Sequence, residues 1–172
     1  IYDLNTNYVA MAVQTSPEKD ANFGTVLADV GVDMLAVGVP YKDATYPPPS
    51  LLFSDSGAVY LYDYYGQHIT NLYKTNRIYG DSERFGAAVA RLGKDRILVS
   101  APYETINGTN DAGVVYIFNL NGALLKTVPH PKPALNARFG FALAGVGTNR
   151  FVAGAPGEPG GVLYLMDGNG NR

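Results

Sequence analysis

The chain has 172 residues, 47% of them apolar and 16% charged, with a formal net charge of −2. That is enough for one domain with a buried core, and it offers none of the basic face that nucleic-acid binding requires. No apolar run approaches the ~18–20 residues that a helix needs to span a bilayer, so membrane insertion is not expected. The absence of cysteine excludes a disulfide framework and thiolate metal sites.

Glycine at 20, proline at 11 and tyrosine at 13, without tryptophan, fit short strands and many turns. No stretch much beyond about ten residues holds a helical apolar period unbroken by Gly or Pro. The whole chain is therefore expected to be all-β.

Taken in order, the opening "IYDLNTNYVAMAV" at 1–13 reads as the end of a Tyr-containing strand, a turn and an outer strand, "YVAMAV" at 8–13. A sentence then begins that is written three times: "NFGTVLADVGVDMLAVGVP" at 22–40, "RFGAAVARLGKDRILVSAP" at 84–102 and "RFGFALAGVGTNRFVAGAP" at 138–156. Phe23, Phe85 and Phe139 each precede a closing proline by 17 positions, and Gly31, Gly93 and Gly147 follow each Phe by 8. After a loop comes a Tyr strand, "GAVYLYD" (57–63), "GVVYIFN" (113–119) or "GVLYLMD" (161–167). Then come a turn and an outer strand, "HITNLY" (68–73) and "LLKTV" (124–128), which the third copy lacks. Units of four short strands (a Phe-Gly strand, an Ala-Pro strand, a Tyr strand and an outer strand), offset at the termini, predict β-propeller blades. One propeller domain or segment is expected over 1–172: an outer strand at 1–13, blade 1 at about 22–73, blade 2 at about 84–128 and an incomplete blade 3 at about 138–172. The three blades are four-stranded and antiparallel, with the third blade's outer strand displaced to the N-terminus. Because the chain begins at Ile1, it is expected to be a processed chain or an excised segment.

The three Phe-Gly pairs, the strand ends "VGVP", "VSAP" and "AGAP", and the "G-x-V/L-Y" strands resemble the FG-GAP repeats of integrin α-subunit propellers. They resemble still more closely the FG-GAP repeats of bacterial secreted and surface proteins. The resemblance covers nearly the whole chain and implies a propeller found outside the cell or at its surface. It also implies a calcium loop between the first two strands. Here "ADVGVD" (28–33), "RLGKDR" (91–96) and "GVGTNR" (145–150) lack the run of oxygen ligands that calcium needs, so neither calcium nor another cofactor is expected. His68 and His130 are far apart in sequence and are expected at the surface. No nucleophile elbow, phosphate loop or paired-carboxylate motif is present, and no enzymatic activity is expected.

Repeated residues are expected to be core or turn. Variation falls in the loops "YKDATYPPPSLLFSDS" (41–56), "YETINGTNDA" (103–112) and "GEPG" (157–160). These are either recognition elements on a fixed scaffold or tolerant surface connections; the resemblance places them on a ligand-binding face. Tyr41, Lys42, Asp43, Tyr46, Tyr103 and Glu104 are the candidate partner-binding residues, with the tyrosines leading. Asn107-Gly108-Thr109 forms a sequon that makes Asn107 a candidate for N-glycosylation.

The function expected is adhesion, partner binding or structural assembly. The alternatives are a non-catalytic propeller domain of a larger secreted enzyme or toxin, and a lectin. The partners expected are another protein, or further copies of the chain through strand exchange. Two chains exchanging strands could close a six-bladed ring, and a geometry that fails to close would give a filament. The competing expectation is a segment of a longer propeller.

Overall fold

The computed structural model describes residues 10–15, 18–31, 33–46, 51–74 and 82–172. Among them there is no helix, and so none long and apolar enough to cross a membrane. Three antiparallel sheets account for nearly all of the regular structure. Sheet 1 runs β1 (Val26–Gly31), β2 (Met34–Val39), β5 (Ala58–Asp63), β6 (His68–Leu72). Sheet 2 repeats this order with β7 (Val89–Leu92), β8 (Arg96–Ala101), β9 (Val114–Asn119) and β10 (Leu124–Pro129). Sheet 3 stops at three strands, β11 (Leu143–Val146), β12 (Arg150–Ala155) and β13 (Val162–Asp167). The register repeats too: Val37 faces Tyr60, Val99 faces Tyr116 and Ala153 faces Tyr164.

One element was not legible in the loop composition. The first variable loop contains a two-stranded ribbon, β3 (Ala44–Tyr46) against β4 (Leu51–Phe53), with Thr45 opposite Leu52.

The sheets are stacked, β1 against β7 and β7 against β11. Strand alternation sorts the apolar side chains to two sides. In β9, Tyr116 and Phe118 turn toward sheet 1 and share a core with Val59 and Leu61 of β5. Val115 and Ile117, which alternate with them in sequence, turn the other way and share a core with Phe151 and Met166 of sheet 3. Both faces of the inner strands β8 and β9 are thus covered, and these two read as largely apolar runs. Tyr60 and Tyr62 of sheet 1 form a third cluster with Phe23 on the side away from sheet 2.

The Phe-Gly pairs correct the sequence reading. They do not belong to the first strand of each unit but precede it, and in the second and third units they form the junction between sheets. Phe85 N–H donates to Ser56 O at 3.1 Å and Phe139 N–H to Ala112 O at 2.9 Å. Each backbone then lies so close to Gly57 or Gly113 that a Cβ on either glycine would overlap it. Phe85 and Phe139 are fully buried, each ring edge-on to a tyrosine of its own sheet, Tyr116 at 5.5 Å and Tyr164 at 5.5 Å. Phe23 meets Tyr60 at 5.9 Å in the same way but is only half-buried, because no sheet among the described residues lies in front of it.

The N-terminal expectation also needs correcting. Residues 1–9 lie outside the described residues, and residues 10–13 form no strand. They nevertheless lie on sheet 1: Tyr62 Oη donates to Val13 O at 2.6 Å, and Ala12 packs on the Tyr60–Tyr62 cluster. The Ala10–Met11 segment touches the Gly66 turn, just as Leu72 of β6 touches Gly122 and Val128 of β10 touches Gly170. The segment therefore occupies, on sheet 1, the place that the outer strand of the preceding sheet occupies on sheets 2 and 3.

The junction can be tested at its tightest point. Gly113 combines a φ of +93° with the Phe139 backbone at its back, whereas Gly108 has a φ of +79° and open space. Gly108→Ala should lose only the ~1–2 kcal/mol of a left-handed L-residue. Gly113→Ala should lose more than about 3 kcal/mol, because the sheets must also separate. Urea midpoints of the two variants measure the difference, and equal losses would remove the junction from its central role.

Candidate functional site

Each Ala-Pro or Val-Pro strand end is followed by a tight turn: Lys42 N–H donates to Val39 O, Glu104 N–H to Ala101 O and Glu158 N–H to Ala155 O, at 3.2, 3.2 and 3.3 Å. The turn presents one residue (Tyr41, Tyr103 or Gly157) and then a charged one (Lys42, Glu104 or Glu158). In the second and third units the charged residue turns inward to meet the Tyr strand and the end of the preceding outer strand.

Between sheets 1 and 2, Lys74 follows β6 and is buried against Glu83, with its ammonium 2.8 Å from Glu104. Tyr116 Oη donates to the same Glu104 carboxylate, 2.7 Å from Oε2. Burial and the adjacent Glu104 charge hold the Tyr116 hydroxyl far above its usual pKa. Between sheets 2 and 3, His130 stands in the place of Lys74. His130 Nδ1 accepts the Lys132 amide at 3.0 Å, so its proton sits on Nε2, which donates to Glu158 Oε1 at 2.8 Å. Tyr164 Oη donates to that oxygen at 2.7 Å. Burial and then the Glu158 bond raise Tyr164 to about 12. Burial raises the Glu158 pKa, but the bonds from Tyr164 and His130 outweigh it and hold the carboxyl below its usual 4.5.

His130 is therefore not the surface residue that its Pro-rich surroundings suggested: it is buried and paired. His68 is exposed as expected, with Nε2 2.7 Å from Asn71 Oδ1.

The candidate partner residues divide. Glu104 is buried in the ion cluster. Lys42 pairs with Glu18 at 3.2 Å. Asp43 accepts the Asp55 amide through Oδ1 and donates its own amide to Glu18, both at 3.0 Å. These three hold the loops in place. Tyr46 lies in β3, and its side chain is outside the described residues. Asn107 and Gly108 form a two-residue turn closed by reciprocal Ile106–Thr109 backbone bonds, with Asn107 exposed at a φ of 49°.

Tyr41 and Tyr103 belong together in a row that sequence reasoning missed. The Arg84 guanidinium stacks between them, 4.8 Å from the Tyr41 ring centroid and 4.4 Å from that of Tyr103. Arg138 continues the row, 5.2 Å from Tyr103. Tyrosine and arginine thus alternate across the loop side of all three units. Each arginine immediately precedes a Phe-Gly pair with a positive φ (52° and 56°), which carries its side chain onto the neighbouring loop. The signal was available in the repeated "Arg-Phe-Gly" of the second and third copies. Neither guanidinium makes a hydrogen bond among the described residues, and both Nε atoms are buried without a partner. The Asp55 carboxylate approaches Arg84 only to 4.0 Å. Such a row can present planar cationic donors on aromatic supports. Among the described residues no group of three or more His, Asp or Glu is arranged to hold a metal ion.

No protein-family model matches the chain, and a search of curated proteins finds no match.

Two outcomes test the polar junctions. Lys74→Met leaves two buried carboxylates without their cation and should cost about 3–5 kcal/mol, read from urea unfolding. Glu158 has a lowered native pKa, so its contribution is complete above the unfolded value near 4.5 and disappears as pH falls through the lower native value. The stability gap between wild type and Glu158→Gln should therefore stay constant above about pH 5.5 and shrink on acidification. A gap that widened toward low pH would contradict the assignment.

Proposed function

We propose that this chain supplies three blades of an extracellular or cell-surface β-propeller of the FG-GAP kind, acting without catalysis as a partner-binding and assembly module. Two facts support the propeller reading. The unit recurs with the same strand order and register, and each sheet meets the next through the same Phe-Gly contact. The observation that carries the binding reading is the Tyr41–Arg84–Tyr103–Arg138 row, a cationic and aromatic strip on the variable-loop side. Aromatic residues and arginine dominate the energetics of protein interfaces, and guanidinium groups with unspent donors favour carboxylates. The partner is accordingly a protein segment bearing Asp or Glu. Lys42, Asp43 and Glu104 serve by fixing the loops, and Tyr46 is a further candidate contact of the first loop. Asn107, on an exposed turn of the second loop, is accessible to glycosylation in a host that performs it. Calcium plays no part in this reading.

The test is an array of extracellular proteins and acidic peptides probed with the intact chain. Parallel probes are Arg84→Ala, Tyr103→Ala and a loop-shortened form carrying "GEPG" in place of the two long loops. Bound spots should weaken at least about tenfold with each point variant and vanish with the short loops, while circular dichroism stays unchanged. Binding indifferent to all three changes would move the site to another face.

A further inference from the structure

Sheet 3 and sheet 1 each present a face that no other sheet covers among the described residues. The two faces are opposite halves of a junction that the chain already builds twice. We infer that a second copy of this chain docks there head to tail. The Phe23-Gly24 edge of one copy seats on sheet 3 of the other, and Arg150 enters the acidic cleft beside Asp33. The inference rests on the propeller reading above and names one of its partners.

The seat on sheet 3 is a vacant version of two filled ones. Val59 and Leu61 of β5 are fully buried by sheet 2, as are Val115 and Ile117 of β9 by sheet 3. Their counterparts in β13, Leu163 and Leu165, are 75% and 50% exposed. Gly57 and Gly113 are pressed against the backbones of Phe85 and Phe139, but Gly161, at the same position in the third unit, has nothing within 4 Å. A cleft of about 290 Å³ opens there, bounded by Gly154, Gly161, Val162 and Leu163. These positions correspond to Ser100, Gly113, Val114 and Val115, the residues around Phe139-Gly140 at the internal junction.

On the other half of the junction Ala12 and Phe23 cover Tyr60 and Tyr62, but the Phe23-Gly24 edge itself is free. A Cβ on Gly86 would lie 2.6 Å from Ala58 O, and one on Gly140 3.0 Å from the Ser100 side chain, whereas one on Gly24 would meet nothing within 4 Å. Leu27 is 63% exposed where Val89, its counterpart, is buried. An exposed apolar face of this extent on a stacked sheet is an interaction surface.

Charge selects the partner. At the internal junction Arg96 of β8 reaches across to sheet 3: Nη1 donates to Asn149 Oδ1 at 2.9 Å and Nη2 to Thr148 O at 3.0 Å. The residue in the place of Arg96 on sheet 3 is Arg150, which is exposed. The residue in the place of Asn149 on sheet 1 is Asp33. Asp33 borders a cleft of about 330 Å³ that Asp29 and Asp63 also line. An arginine thus faces the spot where a second copy would offer three carboxylates, and a guanidinium–amide hydrogen bond inside the chain becomes a guanidinium–carboxylate ion pair between copies. Two copies joined this way cover both free faces of each and close a ring of six sheets, within the four-to-eight range of closed propellers.

Sedimentation of the full chain over a concentration series provides the test. Wild type should run at twice the chain mass. Arg150→Glu and Asp33→Lys each place like charges at both contacts, and each alone should associate at least about tenfold more weakly. A one-to-one mixture of the two variants sets opposite charges at both contacts, reversed in one and native in the other, and should recover the double mass. Leu163→Asp, at an exposed position on the apolar seat, should also dissociate the pair while leaving the circular-dichroism spectrum native. Wild type at single-chain mass throughout would overturn the inference, as would association untouched by the charge reversals. Masses that grow past two copies would overturn the closed ring. None of these results bears on the loop-side strip, whose binding is read separately on the array.

Discussion

The structure depends on one close approach: the backbone of a Phe-Gly pair laid against a glycine of the preceding sheet. Phe139 N–H bonds to Ala112 O, and the chain there leaves no room for a side chain on Gly113. Phe85 repeats the contact on Gly57. Because two backbones touch, the sheets come near enough for Val115 and Ile117 to reach Phe151 and Met166. The same closeness demands small residues along the inner strands: a Cβ on Gly38 would overlap Gly86 O, and one on Gly145 would overlap Arg91 O. The phenylalanine ring folds back onto its own sheet, so the aromatic stack anchors the segment whose backbone makes the joint.

A second layer of contacts distinguishes one joint from the next. The apolar core of a sheet pair is non-directional and does not specify which sheet follows which. The polar clasp does, since Lys74 meets an acid pair in one joint and a neutral His130 meets Glu158 in the other. Exchanging the second and third units would set the Lys74–Glu83 pair against Glu158, and His130 against Glu104. Each clasp joins the tail of an outer strand to the turn and Tyr strand of the next sheet, so the same residues that order the sheets also fix the bases of the variable loops.

The two jobs occupy different levels of the molecule. Below the turns, buried charged groups pair with one another; above them, Arg84 and Arg138 rest on tyrosine faces and make no hydrogen bond among the described residues. The positive-φ residue before Phe-Gly connects the levels. The joint that packs the core thereby also aims an arginine at the neighbouring loop, and the strip inherits its spacing from the sheet repeat.

Much of this was legible in the sequence. Spacing between Phe, Gly and Pro marked three equivalent units, and strand alternation placed Tyr60, Tyr116 and Tyr164 at matching positions, because local sterics and period-two patterning act within a few residues. The all-β class, the four-strand order of the first two units and the missing strand of the third followed from these alone. What only the tertiary structure decided involves residues brought together across sheets. Phe-Gly proved to be a joint and not a strand start, Phe23 remained half-buried, His130 went inside, and Glu104 was taken from the candidate contacts by Lys74. The first loop formed a ribbon, and the arginine–tyrosine row assembled from residues up to 97 positions apart, Tyr41 to Arg138. The physical reason is the same throughout. Burial and ion pairing are properties of a neighbour, and in a stack of sheets the neighbour is contributed by the next repeat.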